Sequence, residues 1–379
     1  MTIGIDARLW NQTGVGRYIR NLVQNLLILD KKNTYILFVR KQDYGIINDQ
    51  LSMIKYQNNL KLENWKLKIA DIKWHTISEQ IKFASILNKE KLDLVHFPYF
   101  SVPIFYKKPF VVTIHDLIVH HFPTGKASTL ISPLYEAKLI AYKFVIKKAA
   151  QKAKKIITVS NSTKAEIIDH LKVPEDKIEV IYEAANLAVS HQPSAISRKY
   201  EKYLLYVGNA YPHKNLERLI KAFSKISKDY RDLKLILIGR RDYFYQRLEK
   251  ENKSDRIVFY GNATDDELSS FYSNAIALVV PSLMEGFGLP VLEAMSLRCL
   301  VVASDIPAFR EIAQDEILYF NPKDVNDISE KLKDIIENES KYKKEILDKA
   351  FEKTKKFSWE KSARETLKVY ESCASTSSA

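Results

Sequence analysis

Cysteine is nearly absent: the 379-residue chain has two, Cys299 and Cys373. Two thiols far apart exclude a disulfide scaffold, and no metal-ligand spacing joins them, so a reducing compartment is the expectation. Glycine (10) and proline (12) are also sparse, which excludes collagen-like and low-complexity chains. No run of about 18 apolar residues occurs, so no membrane-crossing helix is expected. Asp6 and Arg8 interrupt the stretch where a secretory leader needs its apolar segment. The expected location is therefore cytoplasmic, either free or peripheral on the inner face of the membrane. Acidic residues are the scarcer sign, 46 against 59 Lys and Arg, which leaves a net charge of +13. That excess favours phosphorylated substrates, anionic lipid or nucleic acid and does not choose among them.

What is present is a folded composition, 46% hydrophobic and 28% charged, in a length that suits two domains of roughly 150 residues or more. Apolar runs of strand length alternate with longer stretches of helical period. This is the βαβ pattern of parallel sheets covered by helices, and it makes the fold class α/β. Strands are expected at residues 3–9, 34–40, 93–97, 110–115, 155–159 and 178–182, then at 203–207, 233–238, 257–260, 277–280 and 300–303. A helix starts near Arg17 with Tyr18, Ile19, Leu22, Val23, Leu26 and Leu27 on one face. The periodicity lapses between Asn186 and Arg198, so residues 1–190 are expected to form one Rossmann-like domain and 198–356 a second. A last amphipathic helix is expected over 357–372, and 373–379 read as a disordered tail. Open parallel sheets bind ligands beyond the carboxyl ends of their strands, so the cleft between the domains is the first place to look.

Residues 281–296 read P-S-L-M-E-G-F-G-L-P-V-L-E-A-M-S directly after the strand at 277–280. Gly286 and Gly288 let the backbone approach a ligand closely. Pro290 suits the first turn of a helix, whose free N–H groups attract an anion. Glu285 and Glu293 flank that loop and can bracket one ligand, since carboxylates accept hydrogen bonds from paired hydroxyls. On these residues alone, a plain strand-to-helix connection with Glu293 favoured by the helix dipole is equally open.

The stretch resembles the E-x7-E region of retaining GT-B glycosyltransferases, in particular the large family four that uses nucleotide-sugar donors. The resemblance runs in order along the chain: I-D-A-R and T-G-V-G-R-Y within residues 5–18, V-H-F-P-Y at 95–99, V-T-I-H-D-L at 112–117 and T-V-S-N-S-T-K at 158–164. It continues with Y-V-G-N-A-Y-P-H-K-N-L at 206–216, V-V-A-S-D-I-P-A-F-R-E at 301–311 and F-S-W at 357–359. It implies two Rossmann-like domains facing a central cleft, with the acceptor on the N-terminal domain and the donor mainly on the C-terminal one. The last helix would return to the first domain.

By the same resemblance Glu285 contacts the donor hexose, and Glu293 holds the ribose hydroxyls. The amides of Gly286, Phe287, Gly288 and Leu289 meet the sugar and diphosphate, and Lys214 neutralises the diphosphate. The loop of Gly14, Val15 and Gly16 would cover the donor phosphate. As a dinucleotide fingerprint it fails, because Ile19 stands where the third glycine belongs. His115, ending an apolar strand, would lie by the donor sugar near the anomeric carbon. Asn209 is a departure, since many members carry arginine there. Phosphate neutralisation is then weaker or supplied elsewhere, with His213, Arg240 and Arg241 as candidates.

No D-x-D triplet occurs, which argues against a metal-dependent GT-A enzyme, so no metal and no cofactor are expected. The I-D-A-R and G-V-G-R-Y pattern is similar to members assigned as mannosyltransferases. GDP-mannose is therefore preferred to UDP-glucose or another UDP-sugar as donor, with a glycan or lipid-linked acceptor. Between 138 and 155 the chain carries Lys138, Lys143, Lys147, Lys148, Lys152, Lys154 and Lys155 with no acid. Leu139, Tyr142, Ile146, Ala149 and Ala153 recur there near helical spacing, so the segment is either a membrane-surface helix for anionic lipid or a core-packed helix with a solvated basic face. Tyr99, Phe100, Phe105 and Tyr106 either line an acceptor groove or pack in the core. The rival reading, a basic nucleic-acid-binding protein without transferase activity, lacks any recognisable motif, and no nucleic-acid partner is expected.

Overall fold

The computed structural model describes all residues except 13, 60–63, 124–131, 186–198 and 376–379. The expected boundary between Asn186 and Arg198 lies outside the described residues. The chain divides into two compact units: Met1–Leu117 with Pro133–Glu183 and Ser358–Ala379, and Ile118–Ser132 with Ala184–Phe357.

The first unit is built on β1 (Thr2–Asp6), β2 (Thr34–Val39), β3 (Trp65–Ile69), β4 (Leu94–Phe97), β5 (Phe110–Ile114), β6 (Lys155–Thr158) and β7 (Ile178–Val180). These seven strands form one parallel sheet in the order β3-β2-β1-β4-β5-β6-β7. The helices of this half of the chain are α1 (Gly14–Leu29), α2 (Tyr44–Gln57), α3 (Ala84–Lys89), α4 (Ile118–His121), α5 (Ser132–Lys152) and α6 (Asn161–Leu171). Of these, α4 falls with the second unit.

The second unit holds β8 (Lys202–Val207), β9 (Leu233–Ile238), β10 (Ile257–Gly261), β11 (Ala277–Val280), β12 (Val301–Ser304) and β13 (Leu318–Phe320). They form a parallel sheet in the order β10-β9-β8-β11-β12-β13. Its helices are α7 (Leu216–Ile226), α8 (Tyr243–Glu251), α9 (Asp265–Asn274), α10 (Leu289–Ser296), α11 (Pro307–Ala313), α12 (Val325–Glu337) and α13 (Glu339–Thr354). The chain ends in α14 (Trp359–Ser375), which belongs to the first unit and packs on α1. This helix runs past the end expected at residue 372, because Cys373 is still buried at 4% exposure and extends the packed face.

Every expected strand is present, and β3 and β13 are additional. In α1 the residues Tyr18, Ile19, Leu22, Val23, Leu26 and Leu27 are buried, as the i, i+3, i+4 spacing requires. Full burial of each such side chain stabilises the fold by about 1.5–3 kcal/mol. α7 follows the same rule with Leu216, Leu219, Ile220, Phe223 and Ile226.

Two buried polar networks fix the first unit. His96 lies inside, its Nδ1 2.6 Å from Tyr370 Oη of α14 and its Nε2 2.8 Å from Thr113 Oγ1 of β5. Burial pushes its pKa down to about 3, so the ring is neutral and ties the last helix to the sheet without a charge. Beyond β1, Arg8 donates to Asp6 at 2.7 and 2.8 Å, to Glu79 Oε1 at 2.6 Å and to the Ile72 carbonyl at 3.2 Å. Ser101 Oγ and the His75 amide donate to the other Glu79 oxygen at 2.7 and 2.9 Å. Two carboxylates thus depend on one guanidinium that is 1% exposed. Replacing Arg8 by Met would leave both acids buried and uncompensated, so urea unfolding should show a loss of about 3–5 kcal/mol. An unchanged midpoint would mean that the network carries no stability.

Candidate active site

In the second unit the strand order reverses between β8 and β11. Open parallel sheets bind ligands beyond the carboxyl ends of their strands at such a reversal. The loops leaving these two strands carry Lys214 and Glu285. Lys214 closes a single 3-10 turn, Pro212–Lys214, ahead of α7 rather than opening that helix. The Leu283 amide donates to the His213 carbonyl at 2.7 Å. Asn215 Nδ2 donates to the carbonyls of Pro281 and Pro322 at 2.9 and 2.8 Å. With the loops so joined, Lys214 Nζ donates to Glu285 Oε1 at 2.6 Å, the two side chains being 16% and 12% exposed. Burial alone would raise the Glu285 carboxyl. The Lys214 ammonium outweighs that, by its charge and its hydrogen bond, and holds it below its ordinary value.

Gly286, Phe287 and Gly288 are buried and lead from Glu285 into α10. Gly288 has φ +113°, and a Cβ there would lie 2.8 Å from the Phe309 ring, so both backbone and space demand glycine. No side chain caps α10, Pro290 sits in its first turn, and half-buried Leu289 is its first residue. Its leading turn therefore offers N–H groups to an anion. Glu293, one turn on, is 2% exposed, and Tyr272 Oη of α9 donates to its Oε2 at 3.0 Å.

Asn209 follows the glycine after β8. Its side-chain oxygen accepts from the Tyr211 amide at 3.2 Å, and its carbonyl accepts from Tyr206 Oη at 2.5 Å. Among the three basic side chains considered as substitutes for an arginine here, His213 is 8% exposed. Burial first, and Lys214 next, push its pKa down to about 4, so it is neutral at pH 7. Arg241 pairs with Glu249. Arg240 is exposed on the loop after β9, the strand beside β8.

In the first unit the corresponding reversal falls between β1 and β4. Gly14 is exposed and Val15 half-buried where α1 begins. Gly16 is buried, and a Cβ on it would lie 2.4 Å from the Trp10 carbonyl, so the close approach requires glycine. His115 lies just past β5. Its Nδ1 is 3.0 Å from Glu183 Oε1, its Nε2 is 2.9 Å from the Pro98 carbonyl, and the Tyr18 ring meets it edge-on at 4.9 Å. Phe100 and Tyr106 pack in the core, whereas Phe105 is 57% exposed. Sequence reasoning missed Glu183 and Tyr272. The former's sole signal is a lone acid directly after an expected strand, and a tyrosine inside a helix gives none.

Residues 190–353 match the family described as Glycosyl transferases group 1, and residues 12–189 match Glycosyltransferase Family 4. O-antigen chain mannosyltransferase RfbU of Salmonella typhimurium is 30% identical over 271 residues, 71% of this chain and 72% of that protein. O-antigen chain mannosyltransferase B of Escherichia coli is 27% identical over 383 residues, 94% of this chain and 96% of that one. Sucrose-phosphate synthase from Thermosynechococcus elongatus shares the fold with a TM-score of 0.76 at 20% identity, covering 99% of this chain and 100% of that chain. Two Rossmann-like parallel sheets with these relatives define a GT-B glycosyltransferase. The chain belongs to the group 1, family four glycosyltransferases and is a nucleotide-sugar-dependent enzyme. The rival reading without transferase activity gives way to this membership.

Replacing Lys214 by Met would leave Glu285 buried without its cation, a loss of about 3 kcal/mol at neutral pH. In the wild type the carboxyl's folded pKa lies below its unfolded value, so its stabilisation is present above the unfolded value and fades as pH falls through the depressed one. In the variant burial loses its main counterweight, so the carboxyl's pKa should rise and protonation should relieve the strain as pH falls. Urea unfolding should therefore show a gap between the two proteins that is wide at about pH 7 and narrows by about pH 4.5. A gap of equal size at both would show that the ion pair is not its source.

Proposed function

We propose that this enzyme is a retaining mannosyltransferase that moves mannose from GDP-mannose to a glycan or lipid-linked acceptor without a bound metal. The Lys214–Glu285 pair beside the uncapped α10 carries this reading. The names of the two O-antigen chain mannosyltransferases support the sugar and the kind of acceptor. Breaking the bond between the anomeric carbon and phosphate builds positive charge on the sugar and negative charge on the leaving diphosphate. Lys214 exchanges Glu285 for the diphosphate, and the first amides of α10 add to that stabilisation. Glu285, released, accepts hydrogen bonds from the hexose hydroxyls, and Glu293, held by Tyr272, accepts them from the ribose. The acceptor hydroxyl attacks from the leaving-group face and gives its proton to the departing phosphate. Arg240 is the cation that adds to Lys214 in place of the arginine absent at Asn209.

A screen of nucleotide sugars with a glycan acceptor tests this reading. GDP-mannose should give a product with the donor's anomeric configuration, in EDTA as well as in buffer. Turnover of a UDP-sugar alone would reassign the donor, an inverted product would end the retaining assignment, and loss of activity in EDTA restored by manganese would end metal independence. Lys214→Ala should lower kcat by about 100- to 1000-fold, because the ammonium acts on charge that grows in the transition state. Glu293→Ala should raise the donor KM with little change in kcat, since a ribose contact is equal in ground and transition states.

Among the described residues no helix is long and apolar enough to cross a membrane. We infer that the first unit meets an anionic membrane surface through α5. Its inner face follows the expected spacing, with Ile146 and Ala149 buried and Leu139 and Tyr142 half-buried. Its outer face exposes Ile140 at 70% and Phe144 at 50% among exposed Lys138, Lys143, Lys147 and Lys152. Apolar side chains ringed by cations fit a headgroup boundary. Each lysine is worth only about 1 kcal/mol at a charged surface and is screened by salt. Vesicles containing phosphatidylglycerol should bind the protein and release it as salt rises. Changing Lys143, Lys147, Lys148 and Lys152 together to Gln should abolish that binding and spare donor turnover. Equal binding by both proteins, or none by either, would return α5 to a solvated basic face.

A further inference from the structure

His115 has a hydrogen-bond acceptor on each ring nitrogen. Glu183 Oε1 lies 3.0 Å from Nδ1 and the Pro98 carbonyl 2.9 Å from Nε2. A neutral imidazole has one N–H, so either tautomer would set a lone pair against an oxygen lone pair at this distance. Only the imidazolium donates to both. The surroundings hold the ring where it is: the Tyr18 edge packs against it at 4.9 Å, and Thr163 Oγ1 donates to the His115 carbonyl at 3.3 Å. The Glu183 side chain is 7% exposed and the His115 side chain 12%, so water does not screen the pair.

We propose that Glu183 is a positioning residue of the transfer reaction, which fixes His115 as an imidazolium that offers positive charge and an N–H donor to the bound nucleotide sugar and cannot serve as a proton acceptor. The assignment rests on the transferase reading above, taken together with the resemblance by which His115 lies by the donor sugar. On donor binding, Nε2–H exchanges the Pro98 carbonyl for a sugar or phosphate oxygen while Nδ1–H stays on Glu183. No proton is transferred, so the contribution is electrostatic and equal at the start and end of each turnover.

The titratable groups facing His115 agree. Asp116 is the next residue along the chain and adds negative charge, while Tyr18 of α1 has its hydroxyl pKa raised by burial and stays neutral. His96 of β4 is neutral, its pKa about 3. Burial alone would push the His115 ring down. The Glu183 hydrogen bond and charge, the Pro98 carbonyl and Asp116 outweigh it and hold the ring above its ordinary value. The cation therefore persists below that raised value and is lost as pH rises through it.

The test is Glu183→Gln, which keeps the side chain's size and a hydrogen-bonding group but removes the charge. Donor turnover by the wild type should decline only on the alkaline side of neutrality. In Glu183→Gln that alkaline limb should move down by about one pH unit or more, and kcat lost at pH 7.5 should recover as pH is lowered through the displaced limb. Glu183→Asp should keep the wild-type limb. A packing role for Glu183 would instead lower turnover equally at every pH. The second measurement needs no donor: NMR of the protein labelled at its histidines, with the His115 signal assigned by its loss in His115→Gln. It should show both ring nitrogens protonated at neutral pH in the wild type and a lower titration midpoint in Glu183→Gln. Coincident alkaline limbs, or a His115 with one protonated nitrogen at neutral pH, would overturn the proposal. A wild type that turns over no nucleotide sugar would instead overturn the transferase reading, and the NMR titration would then show separately whether the pair exists.

Discussion

A charge taken out of water costs several kcal/mol unless an opposite charge and good hydrogen bonds meet it, and the carboxyl edges of both sheets are arranged around that constraint. Lys214 meets Glu285, His115 meets Glu183, and Arg8 meets Asp6 and Glu79. In the first two pairs the partners arrive on different loops, 71 and 68 residues apart in sequence. Each pair therefore reports that the sheet beneath it has formed in register. The same pairing biases protonation: a carboxyl is held below its ordinary value beside its lysine, and an imidazole above its own beside its carboxylate, although burial opposes both.

Parallel topology makes those meetings possible. With every strand pointing the same way, all strand-to-helix loops of a unit emerge on one edge, and sequence distance ceases to matter. Each sheet then turns its strand order back once, at β1 and β4 in the first unit and at β8 and β11 in the second. Glycine does the fine fitting. At Gly288 the loop from Glu285 can turn into α10 against Phe309, and at Gly16 the start of α1 can close onto the Trp10 carbonyl. Neither contact leaves room for a Cβ, so the loops owe their shape to what those positions lack.

How much of this could be read beforehand follows from the range of each signal. The α/β alternation and the strand-glycine-helix stretch at 277–296 are local, and local patterns are legible in sequence. β3 was missed because it is an edge strand, W-K-L-K-I, in which two of the five residues are lysines. β13, an edge strand of three residues, was also missed. The apolar positions of α5 were legible as a stripe, yet Ile140 and Phe144 fall outside it and stand exposed, which spacing alone does not show. Lys214 and Glu285 were each identifiable from their own surroundings, but that they touch was not. Glu183 was invisible for the same reason, since its meaning lies in a ring nitrogen 68 residues away.

The ion pair at the second unit's edge also bears on what the enzyme would accept, if Lys214 and Glu285 do take the diphosphate and the hexose. Free phosphate could satisfy the ammonium, but it would strip Glu285 of its cation and leave a carboxylate in a largely buried place. A free sugar could offer hydroxyls to Glu285, but only by leaving Lys214 with less than it had. Each fragment thus gains one contact at the expense of another already made at 2.6 Å. The intact nucleotide sugar brings phosphate and hydroxyls joined by the bond that is to break, so both partners of the pair are satisfied in one step. Selection of the whole donor over its two halves then follows from a contact that exists before any donor arrives.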